Sequence, residues 1–580
     1  MTSSKPLLSK RWHLLLLTCL TLLMTFPGLS SLPVIDRDEA RYAQASVQMA
    51  ESEDWINIRF QDEARNKKPA GAYWAQTIML KTLSSPEKRQ IWVQRIPSVI
   101  AGLLAIWLTY LGGIRLIGRH GAFYGAGAMA LSLIFVFEAH IAKTDALLCA
   151  ASCGLFAALA HLRHPDESNA SQRPYKNIWV WVFWISIGAG IMIKGPIVPT
   201  LAIISMAGLW LWERQIGWAK PLLYWPAILV FVLIWVPWVI AIWNATDGAF
   251  FAESLGNDFG GKLVSAQEKH SGPPGYHLAL IGLTMWPACL FLIPGLSYAI
   301  LSVRRGRGDH SAVTKAMRLC LVWVIPFWLM VEIMPTKLPH YTLPLFPALC
   351  IMIGAAIITL LQVKAFAKSR FFSGLLFLIA GTALIAVLLF GAARYGPDTI
   401  AMPTYIITAM GGAAILCAAF ALWLGAIKTS LISSALSGLI LSIGAYGYIL
   451  PNLTDLRLSE RIAQQLNMED YSQLVSVSFT EPSLVYHTDK SVKLGERFNP
   501  LDIAALKDGR VLLLDMKSEK DIALKKAILE TTQAAQLCMN DDPLVSGFNY
   551  SKGKEVEIVK ITANPCPKLT APEQPISPSE

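Results

Sequence analysis

Several short stretches of this sequence carry residue types that handle phosphates and hydroxyls. Asp36-Arg-Asp-Glu39, followed by Arg41 and Tyr42, comes directly after the first apolar run. A carboxylate such as Asp38 can orient or deprotonate a hydroxyl acceptor. Lys67-Lys68-Pro69 stands next, and a lysine such as Lys68 can hold a phosphate through charge-assisted hydrogen bonds. Glu138-x-His140-x-x-Lys143-x-Asp145, Lys194-Gly-Pro196, His270 with His277, and Pro335-Thr-Lys337-Leu-Pro-His-Tyr341 complete the set. All but the two histidines lie within or against apolar runs, where ionisable groups are costly and commonly mark function. Each stretch also has a structural reading. Asp36 can cap a helix, with Glu39 closing a capping box. The lysines can meet lipid headgroups or snorkel, and Glu138 to Asp145 can be a polar turn whose spacing is nonspecific for a metal. The chain has no Walker loop, no dinucleotide-binding glycine pattern and no nucleophile elbow, which argues against nucleotide-driven transport and soluble-type hydrolysis.

These residues must be positioned by membrane helices. Of the 580 residues, 54% are hydrophobic and 16% charged, against about 25% charged in a soluble domain. Mean hydropathy is +0.45. A water-soluble enzyme, a disordered chain and a coiled coil are excluded. The net charge of +10 reads as basic cytoplasmic loops rather than nucleic-acid binding, because no long basic run is present. About thirteen apolar runs approach the length of a span. The first, from Trp12 to Leu32, follows Lys5, Lys10 and Arg11 and reads as a signal anchor. The others centre near residues 104, 130, 153, 186, 205, 232, 289, 325, 350, 382, 413 and 440. Basic residues mark every second loop: Arg115 and Arg119; Arg163, Arg173 and Lys176; Arg214 and Lys220; Arg304 to Arg318; Lys364 to Arg370; Lys428. That bias places the N-terminus in the cytoplasm and the C-terminus outside.

On this topology residues 1–450 form a membrane domain with long outside loops at 33–90 and 244–277. The acidic stretch and the lysine, histidine and Asp145 stretches all gather at one outside face. Residues 451–580 form a small α/β domain outside the cytoplasm, with strands at Leu474–Phe479 and Val511–Asp515, a helix at Asp521–Gln536 and a disordered Pro- and Ser-rich end. Seven cysteines lie in apolar runs and read as buried hydrophobes. Cys538 and Cys566 lie in the polar end and share an oxidising compartment, where they can form a disulfide.

The order of motifs resembles that of ArnT-like lipid glycosyltransferases. Asp38-Glu-Ala-Arg-Tyr-Ala43, Asp54-Trp55, Lys68-Pro69, Tyr73-Trp74, Asp145, Lys194-Gly-Pro196 and Lys337-Leu-Pro-His-Tyr341 are similar, in sequence order, to motifs of that family across roughly residues 10 to 350. The resemblance implies a mainly α, polytopic GT-C fold related to protein O-mannosyltransferases, in a bacterial inner membrane. It implies an inverting transfer from a polyprenyl-phosphate sugar donor to a lipid or glycolipid acceptor, such as lipid A or lipopolysaccharide core, on the periplasmic side. Asp38 and Asp145 would be catalytic. Lys68, Lys337, Arg41 and Lys194 would hold the donor phosphate. Glu39, Tyr42, Tyr73, His270, His340 and Tyr341 would contact substrate. Family members can bind a divalent metal near a Glu that precedes the conserved lysine. Here that position is Lys67, which removes a ligand and adds a repelling charge, so no metal or other cofactor is expected. A transporter or flippase of lipid-linked sugars, a protein O-glycosyltransferase and a nonenzymatic assembly factor are the rival readings.

Overall fold

The computed structural model describes residues 9–565 except 165–176, 255, 257–271, 307–310, 467–470, 489–490, 497, 500–505, 507–508 and 535–536. His270, the Cys538–Cys566 pairing and the expected disordered end fall outside the described residues or side chains. The chain divides into two compact units. One is Met1–Val34 with Tyr42–Leu453; the other is Ile35–Arg41 with Thr454–Glu580.

The first unit is helical. Among the described residues, nine helices are long and apolar enough to cross a membrane, and two shorter apolar helices accompany them. The chain is a multi-pass membrane protein. The elements that matter below are α1 (Lys10–Thr25), α2 (Asp38–Ser52), α3 (Gly71–Leu83), α4 (Ile91–Leu131), α5 (Leu133–Ala139), α6 (Asp145–Arg163), α7 (Ile178–Lys194), α8 (Ile197–Glu213) and α9 (Trp225–Thr246). Every expected apolar run falls in a helix, with two differences of boundary. The first run stops at Thr25, because the chain turns at Gly28, whose φ is +82°. The runs near 104 and 130 share α4, which is broken by non-helical backbone at Gly118 (φ 78°, ψ 170°), a conformation that suits glycine. A buried ion cluster ties helix ends together: Arg163 at the end of α6 pairs with Glu213 at the end of α8, and Arg318 approaches the same carboxylate at 3.7 Å.

Fully buried Arg95 on α4 donates to the carbonyls of Leu29, Leu32 and Pro33 at 2.9, 3.0 and 2.9 Å. It satisfies three carbonyls of the segment that follows α1, so the exit from the first helix has a defined conformation. In the loop that follows α2, a two-stranded ribbon pairs β1 (Arg59–Phe60) with β2 (Glu63–Ala64).

The second unit is a five-stranded sheet in the order β4-β3-β5-β7-β6. The strands are β3 (Gln473–Ser476), β4 (Lys493–Leu494), β5 (Arg510–Asp515), β6 (Leu537–Asn549) and β7 (Lys554–Pro565). The first three are mutually parallel through β3, and the β6–β7 hairpin adds antiparallel to β5. Central β5 is apolar at successive positions because both its faces are covered. Val511 and Leu513 face a core with Leu458, Ile462 and Leu484, while Leu512 and Leu514 face Ile528 of the helix Glu519–Ala534. The expected strands and helix are present, and the hairpin is an addition that alternation alone did not single out.

Candidate active site

In the membrane unit, two features bring Lys68 and Lys194 to one place. Gly71 opens α3 against the end of α7, so closely that an added Cβ would stand 2.7 Å from the Met192 carbonyl oxygen. Only a residue without a Cβ allows this approach. Lys194 is the last residue of α7, which ends at Gly195, and Pro196 leads into α8. Lys68 and Lys194 therefore line the same cavity, about 800 Å³ in volume, together with Asp145, His340 and Tyr341 at its polar end. The rest of its wall is largely apolar, with Leu148, Ile197, Phe327, Met330 and Val331. A second cavity of about 1020 Å³ shares Lys68 and Lys194 and is lined by Trp235, Trp238, Phe250 and Phe251.

Behind the polar end is a compact network of charges. Asp145 opens α6 and its Oδ1 lies 2.5 Å from Lys194 Nζ. Lys143 Nζ lies 3.4 Å from Asp145 Oδ2 and 3.1 Å from Glu138 Oε2. His340 places Nδ1 3.4 Å from Glu138 Oε1 and Nε2 3.6 Å from Asp145 Oδ1. Glu138 is fully buried and Asp145 is 5% exposed. Two carboxylates thus face two ammonium groups, the arrangement that lets charges remain away from bulk water. Lys194 also sits 5.8 Å from the centre of the Tyr341 ring.

Glu138, Asp145 and His340 offer ligand atoms within 4.8 Å of one another. They do not fit a divalent ion as they stand. Both carboxylates are already neutralised by Lys143 and Lys194, so an added dication would meet two like charges.

The other expected site residues divide. Lys337 is buried and turned elsewhere: its Nζ donates to the carbonyls of Gly272 and Met334 at 3.0 and 2.7 Å. Tyr42 and Tyr73 are core residues. They stack at 4.7 Å, are 4% and 0% exposed, and are bridged by Arg65, whose Nε donates to Tyr73 Oη at 3.1 Å. Their burial in an aromatic cluster is why they pack on each other rather than present a face to substrate. Arg65 was not singled out from the sequence, although it shares its loop with Lys67 and Lys68. Glu138 and Lys143 lie in the stretch whose sequence reads as a polar turn; the signal for their pairing is their position beside Asp145.

Asp38, Glu39 and Arg41 belong to the second unit. Asp38 is exposed at the first residue of α2. Glu39 is 1% exposed and its Oε2 accepts the Ile35 N–H at 2.8 Å. Asp36 does not cap α2. Its Oδ1 accepts the N–H of Ser483 at 3.2 Å, because the turn before α2 packs into the C-terminal fold. Burial, and then the nearby Glu481 carboxylate, push the Asp36 pKa up to about 7.

Comparisons with known proteins agree with this architecture. Residues 11–246 match the family model described as dolichyl-phosphate-mannose-protein mannosyltransferase. The undecaprenyl phosphate-alpha-4-amino-4-deoxy-L-arabinose arabinosyl transferase of Aeromonas salmonicida is 25% identical, over 77% of this chain and 78% of its own length. The protein of that name numbered 2 in Proteus mirabilis is 27% identical, over 60% and 59%. Among solved structures, ArnT from Cupriavidus metallidurans bound to undecaprenyl phosphate superposes with a TM-score of 0.72 at 18% identity, covering 95% of this chain and 98% of that one. The archaeal oligosaccharyltransferase AglB from Archaeoglobus fulgidus gives 0.51 at 11% identity, covering 91% and 72%.

Proposed function

We propose that this chain, whose fold is that of ArnT from Cupriavidus metallidurans, is a membrane glycosyltransferase that moves a sugar, with inversion, from a polyprenyl-phosphate donor to an envelope glycolipid such as lipid A or lipopolysaccharide core. The reaction takes place at the periplasmic face of a bacterial inner membrane. The observation that carries this reading is the cavity with two lysines at one end and an apolar wall along the rest. That combination suits a ligand with a phosphate head and a prenyl tail, and the relatives named above take undecaprenyl phosphate sugars by name.

In the proposed mechanism Lys68 and Lys194 hold the donor phosphate. The acceptor oxygen attacks the anomeric carbon, the bond from that carbon to the phosphate oxygen breaks, and polyprenyl phosphate leaves with the electron pair. The two ammonium groups offset the charge that grows on the departing phosphate. Asp145 holds Lys194 in place by the 2.5 Å ion pair. Asp38 receives the proton of a hydroxyl acceptor. A phosphate acceptor is already an anion, and Asp38 then only positions it. Lys67 and the pairing of Glu138 and Asp145 with lysines support a transfer that needs no metal. Orientation follows from the loop charges, with the N-terminus in the cytoplasm and the C-terminal domain in the periplasm.

The test is binding of undecaprenyl phosphate to the purified full chain. The wild type should bind, and Lys68→Ala and Lys194→Ala should each weaken binding. Equal affinity in all three proteins would remove the lysine pair as the phosphate site. A phosphatase reporter fused after Glu580 should be active; an active cytoplasmic reporter there would reverse the topology.

A further inference from the structure

We propose that the C-terminal domain is a positioning element for transfer: through Ser483, Tyr550 and Ser551 it clamps the Asp36–Arg37 turn and so sets the backbone at the head of α2, where Asp38 stands. The inference rests on the reading of Asp38 given above.

Four observations carry it. The segment Ile35–Arg41 belongs to the same compact unit as the C-terminal domain, although more than four hundred residues of the first unit separate them in sequence. The Asp36 N–H donates to Tyr550 Oη at 2.6 Å, and Asp36 Oδ1 accepts from Ser483 N at 3.2 Å. The Arg37 guanidinium donates to the Ser551 carbonyl at 2.7 Å. Arg37 itself has a φ of 69°, which is unfavourable for a residue with a side chain and persists only where surrounding contacts over-determine it. The helix that begins at the next residue needs that turn: Glu39 Oε2 accepts from Ile35 N, and the N–H groups of Ala40 and Arg41 donate to the carbonyls of Ile35 and Arg37.

The clamp has a chemical signature. The charged and titratable groups around Asp36 are Glu481, Tyr550, Arg37 and Glu39, with Lys552 4.0 Å from Glu481. Asn549 also donates to Glu481, at 2.9 Å. With its pKa raised to about 7 from the ordinary 3.8, Asp36 favours the protonated form in the folded unit. A carboxyl raised in the folded state contributes stability that declines as pH rises from the unfolded value through the folded one. The clamp is therefore tightest near pH 4, weakens as pH rises to about 7, and changes little above it.

The experiment uses the full chain in lipid nanodiscs, an undecaprenyl-phosphate-linked sugar and an acceptor lipid, from pH 5.5 to 8.5. Tyr550→Phe removes the oxygen that accepts from Asp36. Turnover should fall about two- to tenfold, the effect of one net hydrogen bond, with donor KM unchanged. Asp36→Asn keeps a carbonyl acceptor without a charge, and should flatten a decline of turnover between pH 5.5 and about 7 seen in the wild type. Amide exchange of residues 35–41, corrected for intrinsic base catalysis, should accelerate from pH 5.5 to about 7 and level off above it in the wild type, and not in Asp36→Asn. Wild-type turnover and exchange in Tyr550→Phe, or an unchanged decline between pH 5.5 and about 7 in Asp36→Asn, would overturn the proposal. Asp38→Asn runs in parallel. If it transfers like the wild type, the role of Asp38 falls and this proposal with it. If it is impaired while Tyr550→Phe is not, only the clamp falls.

Discussion

Replacing Asp145 by asparagine should strand Lys194 rather than merely weaken a contact. Asp145 Oδ1 lies 2.5 Å from Lys194 Nζ, and the carboxylate is 5% exposed. Lys143 keeps a second carboxylate, Glu138, at 3.1 Å. Lys194 has no such reserve among its ion pairs with described residues. Removing one member of a buried pair costs about 3–5 kcal/mol. Lys194 borders two cavities that water can enter, which favours the lower end, about 3 kcal/mol. The double variant Asp145→Asn/Lys194→Met removes the stranded charge and should recover about 1–3 kcal/mol of that loss. The five buried cysteines, Cys149, Cys153, Cys289, Cys320 and Cys350, are free thiols. Their labelling by a thiol-reactive fluorophore during detergent-induced unfolding therefore reports loss of the helix core. The expected order of resistance is wild type, then double variant, then Asp145→Asn. The double variant should nonetheless bind the donor poorly, which separates stability from function. If Asp145→Asn unfolds with the wild type, or the double variant is no better than the single, the network is not held by this pair.

Lys68→Ala should weaken donor binding about tenfold to a hundredfold, the value of one charge-assisted contact of roughly 1.5–3 kcal/mol, measured with undecaprenyl phosphate. Asp38→Asn should leave donor affinity unchanged and lower single-turnover transfer to a hydroxyl acceptor by about 10²–10⁴-fold; a phosphate acceptor should show a smaller fall. Strong chelation should leave transfer intact, and activity abolished by chelation and restored by a divalent ion would contradict the role given to Lys67 and the lysine-neutralised carboxylates. Gly71→Val should push α3 from α7, because its Cβ would meet the Met192 carbonyl at 2.7 Å. A cost of about 1–3 kcal/mol in stability should accompany weaker donor binding, and a stable variant with normal binding would show that the close approach does not position Lys68.

The helices were legible because an apolar run long enough for a bilayer has few alternatives. The break at Gly118 was not, since glycine within an apolar run gives no sign of whether the backbone turns there. Loop charges gathered the ionisable stretches at one face, but could not say which would pair. Asp145 pairs with Lys194 of a separate turn, and Glu138 with Lys143 of its own. Lys337 lies in the expected motif, yet its ammonium satisfies two carbonyls in its own surroundings. Asp36 had the spacing of a helix cap; the residue that satisfies it, Ser483, lies 447 positions away, beyond the reach of any local rule. The central strand of the C-terminal sheet stood out as a continuous apolar run, whereas the β6–β7 hairpin did not, because polar residues interrupt β6.

The central claim is that this chain transfers a sugar from a polyprenyl phosphate to a membrane glycolipid. Its most direct test is reconstitution of the purified full chain in vesicles with an undecaprenyl-phosphate-linked sugar and a lipid A acceptor, with the products read by mass spectrometry. The account predicts an acceptor heavier by one sugar residue, stoichiometric release of undecaprenyl phosphate, and loss of both in Lys68→Ala at subsaturating donor. Movement of the intact donor between leaflets, with no change in the mass of any acceptor lipid, would contradict it and identify a flippase instead.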